Sequence, residues 1–220
     1  MITLNDVKKD PQILNFIAQT EKALKVLSYT DHGLRHTNVV SDRAMKIAKD
    51  IGLPNREIEL SGIAGFCHDM GNFMTRDYHH YYAALIFHQI FQKEFLPEEM
   101  SAIMQAISNH DKEEMSFTHA ISAVLVLADK SDVDRSRVTE KDMAKIKSDI
   151  HDRVNYATTE SQLKVDKNKK RITLSLKIDT NFVPIMEYFE VFTERMMFCR
   201  TAAEFLGYSF GIVINKTRLL

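Results

Sequence analysis

Residues 57–71 read Glu-Ile-Glu-Leu-Ser-Gly-Ile-Ala-Gly-Phe-Cys-His-Asp-Met-Gly. The apolar residues up to Cys67 predict a buried helix, and the polar pair His68-Asp69 follows at the end of that helix. A histidine and a carboxylate side by side at a helix end can bind the same divalent cation, because the last turn lets the two side chains converge. Such dipeptides are common by chance, so their interpretation depends on the rest of the chain.

Two other residues strengthen the interpretation of His68-Asp69 as part of a metal site. His36 begins a second helical pattern of apolar residues, and Asp129 ends the nearly continuous apolar run at residues 120–128. A carboxylate in so apolar a segment is costly to bury unless it is paired or bound to a cation. Two imidazoles and two carboxylates form a donor set that suits Mn²⁺, Fe²⁺, Ni²⁺, Co²⁺ or Zn²⁺.

The order His36, His68-Asp69, Asp129 resembles the HD superfamily of metal-dependent phosphohydrolases over residues 30–135. His68-Asp69-Met-Gly resembles the signature of that family, and Leu-Ala-Asp129-Lys resembles the end of its last ligand helix. The resemblance implies an HD-type helical domain that hydrolyses phosphoester bonds. It also implies one or two divalent transition-metal ions per chain, with Mn, Fe, Ni, Co and Zn as candidates and Mg also compatible.

Members of the superfamily with two metal ions carry two further histidines, and the sequence offers candidates for both. His79 begins the helix after the signature, and His110 ends the next helix. His80 is an alternative to His79, although Ala83 and Ile86 fall on the helical face of His79. Asp69 would bridge the two ions by this resemblance. The implied metal ligands are His36, His68, Asp69, His79, His110 and Asp129.

One position departs from the pattern of the family. Many members with two ions carry a lysine directly after the glycine of the signature, whereas this chain has Asn72. A cation that binds the substrate phosphate must then come from elsewhere. Arg76 and Lys130 are the candidate substrate-binding residues, and Lys112 and Arg135 are alternatives.

The predicted activity is hydrolysis of a phosphomonoester or phosphodiester, on a nucleotide or a related small phosphorylated molecule, by a metal-activated water. The predicted catalytic residues are Asp69 and Asp111, of which Asp111 would protonate the leaving group. The Gly-Tyr-Pro motif of the members that act on cyclic dinucleotides does not occur in the sequence. Two other functions stay open: an HD module that senses a nucleotide or phosphate without turnover, and a di-iron oxygenase of the HD type.

The composition predicts a mainly helical fold. Only 7 glycines and 4 prolines occur in 220 residues, and apolar residues recur at helical spacing over most of the first 130. The predicted domains are an HD-type helical metal-binding domain at residues 1–140 and a C-terminal α+β extension at residues 141–220 that packs on it. The extension either shapes the substrate pocket or forms the interface of a homodimer.

The pattern of the extension predicts a small antiparallel sheet beside helices. Residues 141–154 are charged and predict one exposed helix. Alternating apolar residues at 163–178 predict a hairpin, and residues 184–206 predict a long helix that Gly207 closes. A last strand is predicted at residues 210–215.

Charge and cysteine content exclude several classes of protein. The 29 Lys and Arg residues balance 30 Asp and Glu residues, so the net charge is −1 and does not favour a nucleic-acid polymer as partner. Two cysteines outside any Cys-x-x-Cys pair indicate reduced thiols. A polar N-terminus and the lack of a long apolar run predict a cytoplasmic protein with no membrane partner.

Overall fold

The computed structural model describes residues 2–112 and 114–219 and is mainly helical, as the sequence predicts. The helices of the described residues are α1 (Leu4–Lys9), α2 (Pro11–Val26), α3 (Leu34–Ile51), α4 (Asn55–Cys67), α5 (His79–Phe91), α6 (Pro97–Asn109), α7 (Ala120–Lys130), α8 (Met143–Ser148), α9 (Ile150–Ala157) and α10 (Ile185–Phe205). The strands are β1 (Thr158–Asp166), β2 (Arg171–Ile178), β3 (Ser209–Ile214) and β4 (Thr217–Arg218). None of these helices is both long enough and apolar enough to cross a membrane.

The centre of the helical body is α7. Every residue from Ile121 to Lys130 is buried, and the helix packs against α3, α4, α6 and α10. A helix that is apolar on all sides must be surrounded by protein, which explains this central position. Its last turn carries Asp129 and Lys130, so two charged side chains lie inside the protein, at 6% and 3% exposure.

The prediction of one helix at residues 141–154 is wrong. Two short helices, α8 and α9, occupy this segment. Asp142 caps α8 and Asp149 caps α9, each through a side-chain oxygen that accepts a backbone N–H. Asp149 itself has extended backbone angles, φ −95° and ψ 124°. The side chain of aspartate competes with the helix for backbone hydrogen bonds, and the chain therefore breaks at Asp149.

The small sheet is mixed, whereas the sequence predicted an antiparallel one. Strands β1 and β2 form the predicted antiparallel hairpin, but β3 pairs with β2 in parallel, and the order is β1-β2-β3-β4. The reason is α10, which lies between β2 and β3 in the chain. A crossover helix returns the chain to the starting end of β2, so that β3 runs in the same direction.

The C-terminal extension packs on the part of the body that carries Asp129. Helix α10 packs against both α7 and β3. In β1, the Ser161 hydroxyl donates a hydrogen bond of 2.6 Å to the carbonyl of Ser131, directly after α7. Arg43 of α3 donates to the carbonyl of Ser161 at 3.0 Å. The extension thus lies close to the end of α7.

Gly71 allows α5 to pack closely against the turn after α4. A Cβ atom at Gly71 would lie 2.2 Å from the carbonyl oxygen of His79 and 2.7 Å from the backbone nitrogen of Ala83. Backbone atoms cannot move aside as a flexible side chain can. We therefore expect Gly71→Ala to lower the free energy of unfolding by about 2 kcal/mol or more.

Thermal unfolding measures this effect, and the melting temperature should fall by about 4–8 °C. The control is Gly33→Ala, because a Cβ at Gly33 would meet only the side chain of Glu21. That side chain can rotate away, but alanine is a poorer N-cap for α3 than glycine, so we expect the control to lower the melting temperature by only about 2–4 °C. Equal falls in melting temperature for the two variants would show that the clash with the backbone of α5 is not what destabilises Gly71→Ala.

Candidate metal centre

The ends of five helices meet at one buried point. Every one of these helix ends carries at least one side chain that can bind a metal, either in the helix or directly after it. All six predicted ligands are at most 6% exposed. They are His36 in the first turn of α3, His68 and Asp69 directly after α4, His79 at the start of α5, His110 directly after α6 and Asp129 in the last turn of α7.

In each of the four histidines, the Nδ1 atom donates a hydrogen bond to an oxygen atom. The acceptors are Asp132 Oδ2 for His36 at 2.7 Å, the Gly65 carbonyl for His68 at 2.8 Å, the Arg76 carbonyl for His79 at 2.8 Å and the Ile107 carbonyl for His110 at 2.7 Å. Carbonyl and carboxylate oxygens only accept, so Nδ1 must carry the proton. The four Nε2 atoms therefore face the common centre, where each offers a lone pair to a metal once it carries no proton.

The carboxylate of Asp69 lies between two pairs of histidines. Its Oδ2 atom lies 3.5 Å from His36 Nε2 and 3.2 Å from His68 Nε2. Its Oδ1 atom lies 3.2 Å from His79 Nε2 and 3.5 Å from His110 Nε2. This division of the two oxygens is the arrangement that a bridging carboxylate requires.

Asp129 lies on the side of the first pair. Its Oδ1 atom is 3.3 Å from His36 Nε2 and 3.7 Å from His68 Nε2. The structure therefore brings together all six side chains that the sequence singled out as ligands.

The donor atoms fit a divalent transition metal. His36 Nε2 and His68 Nε2 are buried without a hydrogen-bond partner, which is costly in a site that holds no cation. His79 Nε2 lies only 3.2 Å from His110 Nε2, and two neutral imidazoles repel each other at that distance unless a proton or a cation lies between them. Three overlapping groups of buried donors have the spacing of a metal site: His36-His68-Asp69, His68-His110-Asp129 and Asp69-His79-His110.

Opposite charges decide the ionisation of the cluster. Burial alone lowers the pKa of His68, but the adjacent Asp69 and Asp129 carboxylates raise it to about 10. Burial likewise opposes a charge on Asp69, yet His68, His110 and His36 hold the pKa of its carboxyl well below the usual range. Without a metal, protons on the imidazoles balance the carboxylates. A metal ion competes with those protons, so its binding strengthens as the pH rises.

Asp132 supports His36 and was not identified from the sequence. It is 1% exposed, and its Oδ2 atom accepts from His36 Nδ1 at 2.7 Å and from Arg35 Nη2 at 2.7 Å. A carboxylate behind a metal-binding histidine orients the ring and increases its basicity. The one signal in the sequence was its position three residues after Asp129, in the turn that ends α7.

We expect Asp132→Asn to weaken metal binding by about 10- to 100-fold, since the charge behind His36 is removed while the shape is kept. A competition titration with a chelator measures the affinity. Asp134→Asn is the control, because Asp134 only caps the short turn at Arg135–Arg137. Unchanged affinity in Asp132→Asn would show that His36 does not depend on this carboxylate.

Asn72, the residue that replaces the lysine of the family pattern, contacts both the cluster and a cation. Its Nδ2 donates to Asp69 Oδ1 at 3.0 Å, and its Oδ1 accepts from Arg76 Nη1 at 2.9 Å. Asn72 thus orients the bridging carboxylate and holds Arg76 beside it. The predicted substrate-binding residue Arg76 lies at the site.

Two ion pairs oppose the expected role of Asp111 as a proton donor. Its Oδ1 atom lies 2.6 Å from Lys130 Nζ, and its Oδ2 atom lies 3.2 Å from Arg76 Nη2. Although burial opposes it, the charges of Lys130, His110 and Arg76 hold the pKa of Asp111 far below its usual range. These charges favour the ionised form, so proton donation by Asp111 to a leaving group stays a prediction. Asp111 holds the two predicted substrate-binding cations at the site.

The other candidates of the sequence lie outside the donor cluster. His80 belongs to none of the three groups of donors, and its ring packs on Tyr81 with the centroids 4.3 Å apart. Lys112 Nζ lies 5.6 Å from the centroid of Tyr81, in the wall of a neighbouring cleft. The guanidinium of Arg135 covers the ring of Tyr156 at 4.4 Å, on an exposed turn.

A cleft of about 580 Å³ opens beside the cluster. Arg76, His79 and Asp111 line it, so it is continuous with the site, and the rings of Tyr78 and Tyr81 form part of its wall. The cleft therefore reaches the donor cluster at His79.

The structure is a helical domain with a buried cluster of histidines and aspartates at its helix ends, and the donor atoms of this cluster fit a metal site. The HD domain matches residues 33–145, about half of the sequence, and the chain belongs to the HD domain family. The chain is also 24% identical over 156 residues to an uncharacterized protein of Methanocaldococcus jannaschii, MJ1020. This similarity covers 60% of the chain and 60% of the length of that protein.

Proposed function

We propose that this protein is a metal-dependent hydrolase of phosphoester bonds in a nucleotide or a related small phosphorylated molecule. The observation that carries the proposal is the convergence of four Nε2 lone pairs and two carboxylates directly beside Lys130 and Arg76. The donors suit a divalent cation, and the neighbouring cations suit a phosphate.

The residues divide into two sets around Asp69. His36, His68 and Asp129 would hold one ion together with Asp69 Oδ2, and His79 and His110 would hold a second with Asp69 Oδ1. When bound, divalent cations supply Lewis acids that polarise phosphoryl oxygens and acidify a water molecule.

Lys130 and Arg76 bind and orient the phosphoryl group. Lys130 is 3% exposed, and the charges of Asp129 and Asp111 outweigh its burial and raise its pKa, so it stays protonated. Both side chains are held by Asp111, which limits the entropy lost when they contact a substrate. Cations fixed in this way stabilise the negative charge that develops as the ester bond breaks.

The two alternative functions make different use of the same residues. A sensor would bind the phosphate without turnover, and a di-iron oxygenase would use the donors to activate oxygen. The two cations paired with Asp111 favour a phosphorylated ligand over dioxygen, because dioxygen offers them no anionic partner.

The test is a hydrolysis screen of nucleotides, other phosphomonoesters and phosphodiesters, with Mn²⁺, Ni²⁺, Co²⁺ and Mg²⁺ in turn. Release of phosphate or of a monoester, abolished by a chelator and restored by one of the metals, supports the proposal. Saturable nucleotide binding without any release supports the sensor instead. Bound iron together with oxygen consumption supports the oxygenase.

A further inference from the structure

The large cleft beside the donor cluster has an aromatic wall that a metal site does not require. Tyr78 and Tyr81, at the start of α5, line the cleft and are 67% and 42% exposed. The centroids of the two rings lie 6.4 Å apart, and the ring planes are inclined by 33°. Exposed rings in a cleft of about 580 Å³ offer a surface that the organic part of a small ligand can cover.

Tyr78 is an unusual residue for its place in the backbone. It is the N-cap of α5, and its backbone angles, φ 62° and ψ 13°, lie in the left-handed region. Glycine, asparagine and aspartate adopt this conformation at lower cost, because a bulky side chain crowds the backbone there. The Tyr78 side chain also makes no capping hydrogen bond to α5. Neither the backbone, nor the cap, nor burial therefore accounts for a tyrosine at this position.

Tyr81 packs beside the Tyr78 ring but has less free surface of its own. The centroid of the His80 ring lies 4.3 Å from that of Tyr81, and Lys112 Nζ lies 5.6 Å from the Tyr81 centroid. Among the residues that the structure describes, the Tyr78 ring contacts only the Tyr81 ring. The Tyr78 ring is thus the part of the aromatic wall that a ligand can cover.

The charges of the cleft favour an uncharged group at this wall. The charged side chains that line it, besides its histidines, are Arg76, Lys112, Asp77, Asp111 and Glu114. Three carboxylates against two cations leave no excess of positive charge for a second anion. Arg76 Nη1 lies 3.4 Å from His79 Nε2, so this cation marks the end of the cleft that meets the donor cluster. Carboxylates farther along the cleft can accept hydrogen bonds from sugar hydroxyls.

We infer that Tyr78 is a specificity-determining residue whose ring stacks on the base of a nucleotide substrate. The inference rests on the proposed function and deepens it, since that function leaves open which organic group the phosphate carries. Arg76 and Tyr78 line the same cleft, which can therefore hold the phosphate and the base of one molecule. Every nucleobase has a flat π face, and stacking on an aromatic side chain favours a base over a sugar or an alkyl group.

The test compares the binding of AMP and of ribose 5-phosphate, which lacks the base, by equilibrium dialysis against the protein as purified. The unmodified protein should bind AMP at least about fivefold more tightly than ribose 5-phosphate. Tyr78→Asn should abolish this preference and leave the affinity for ribose 5-phosphate unchanged, whereas Tyr78→Phe should retain the preference because it keeps the ring. If the protein cleaves either ester, the KM for that ester replaces its dissociation constant.

Tyr78→Asn removes the ring without disturbing the backbone, since asparagine adopts the left-handed conformation readily. Its melting temperature should equal or exceed that of the unmodified protein, and its metal content should stay the same. Ser28→Asn is the matched control, because Ser28 also has a positive φ, 61°, and is exposed outside the residues that line the cleft. We expect this control to keep the preference for AMP.

Equal affinities of the unmodified protein for AMP and ribose 5-phosphate, including no binding of either, would overturn the inference. A preference for AMP that Tyr78→Asn retains, or a lower melting temperature of Tyr78→Asn without a selective loss of AMP binding, would assign Tyr78 no role beyond structure. Failure of the proposed function looks different. A preference for AMP that depends on Tyr78, with no hydrolysis of any ester under any metal, would keep the base subsite and remove the hydrolase.

Discussion

If the proposed function is right, Asp69→Ala is expected to lose bound metal and phosphohydrolase activity together. The carboxylate of Asp69 lies within 3.5 Å of all four Nε2 atoms of the cluster. Its removal leaves the four imidazoles with Asp129 as the remaining carboxylate and takes one negative charge from a buried site. Since the metal supplies several kcal/mol of transition-state stabilisation, the rate should fall by at least about a thousandfold.

Metal analysis of the purified variant and kcat/KM on the best substrate of the screen measure the two losses. Asp42→Ala is the matched control, because Asp42 is 73% exposed on α3 and only contacts Lys8. A circular dichroism spectrum and a melting curve show whether Asp69→Ala is folded, and Asp69→Asn provides a variant of equal size. Retention of metal and activity in both Asp69 variants would show that Asp69 is not a ligand shared by the two metal positions.

The six ligand candidates were predictable because each lies at the end of a helix that the sequence pattern delimits. Helix ends are set by local signals, such as Gly52 at the end of α3, where φ is 92°. The apolar run of α7 marks its central position, and a carboxylate in its last turn is conspicuous for that reason. Local pattern and residue type therefore determine most of this site.

The contacts of Asp111 and the strand order of the sheet depend on pairings between distant segments. Lys130, from the next helix along the chain, lies 2.6 Å from Asp111 Oδ1 and favours the ionised form of that carboxylate. The parallel pairing of β3 with β2 depends on the placement of α10, which is the crossover between these strands. Sequence periodicity carries no information on such contacts.

Metal titration of the unmodified protein is expected to give about two ions per chain, and His110→Ala about one. The reason is the division of the Asp69 oxygens. His79 and His110 lie at Oδ1, whereas His36 and His68 lie at Oδ2 on the side of Asp129. Removal of His110 leaves the Oδ1 side with a single imidazole, which is too few donors to retain an ion.

His80→Ala is the control for this titration and also separates the two neighbouring histidines of α5. His80 is buried beside His79, but its ring packs on Tyr81 and it belongs to none of the groups of metal donors. We therefore expect about two ions per chain in His80→Ala. A loss of one ion in His80→Ala but not in His79→Ala would assign the second site to His80. A stoichiometry of about one in the unmodified and active protein would mean that His79 and His110 bind the substrate, because a dinuclear site requires the Oδ1 side of Asp69 to hold its own ion.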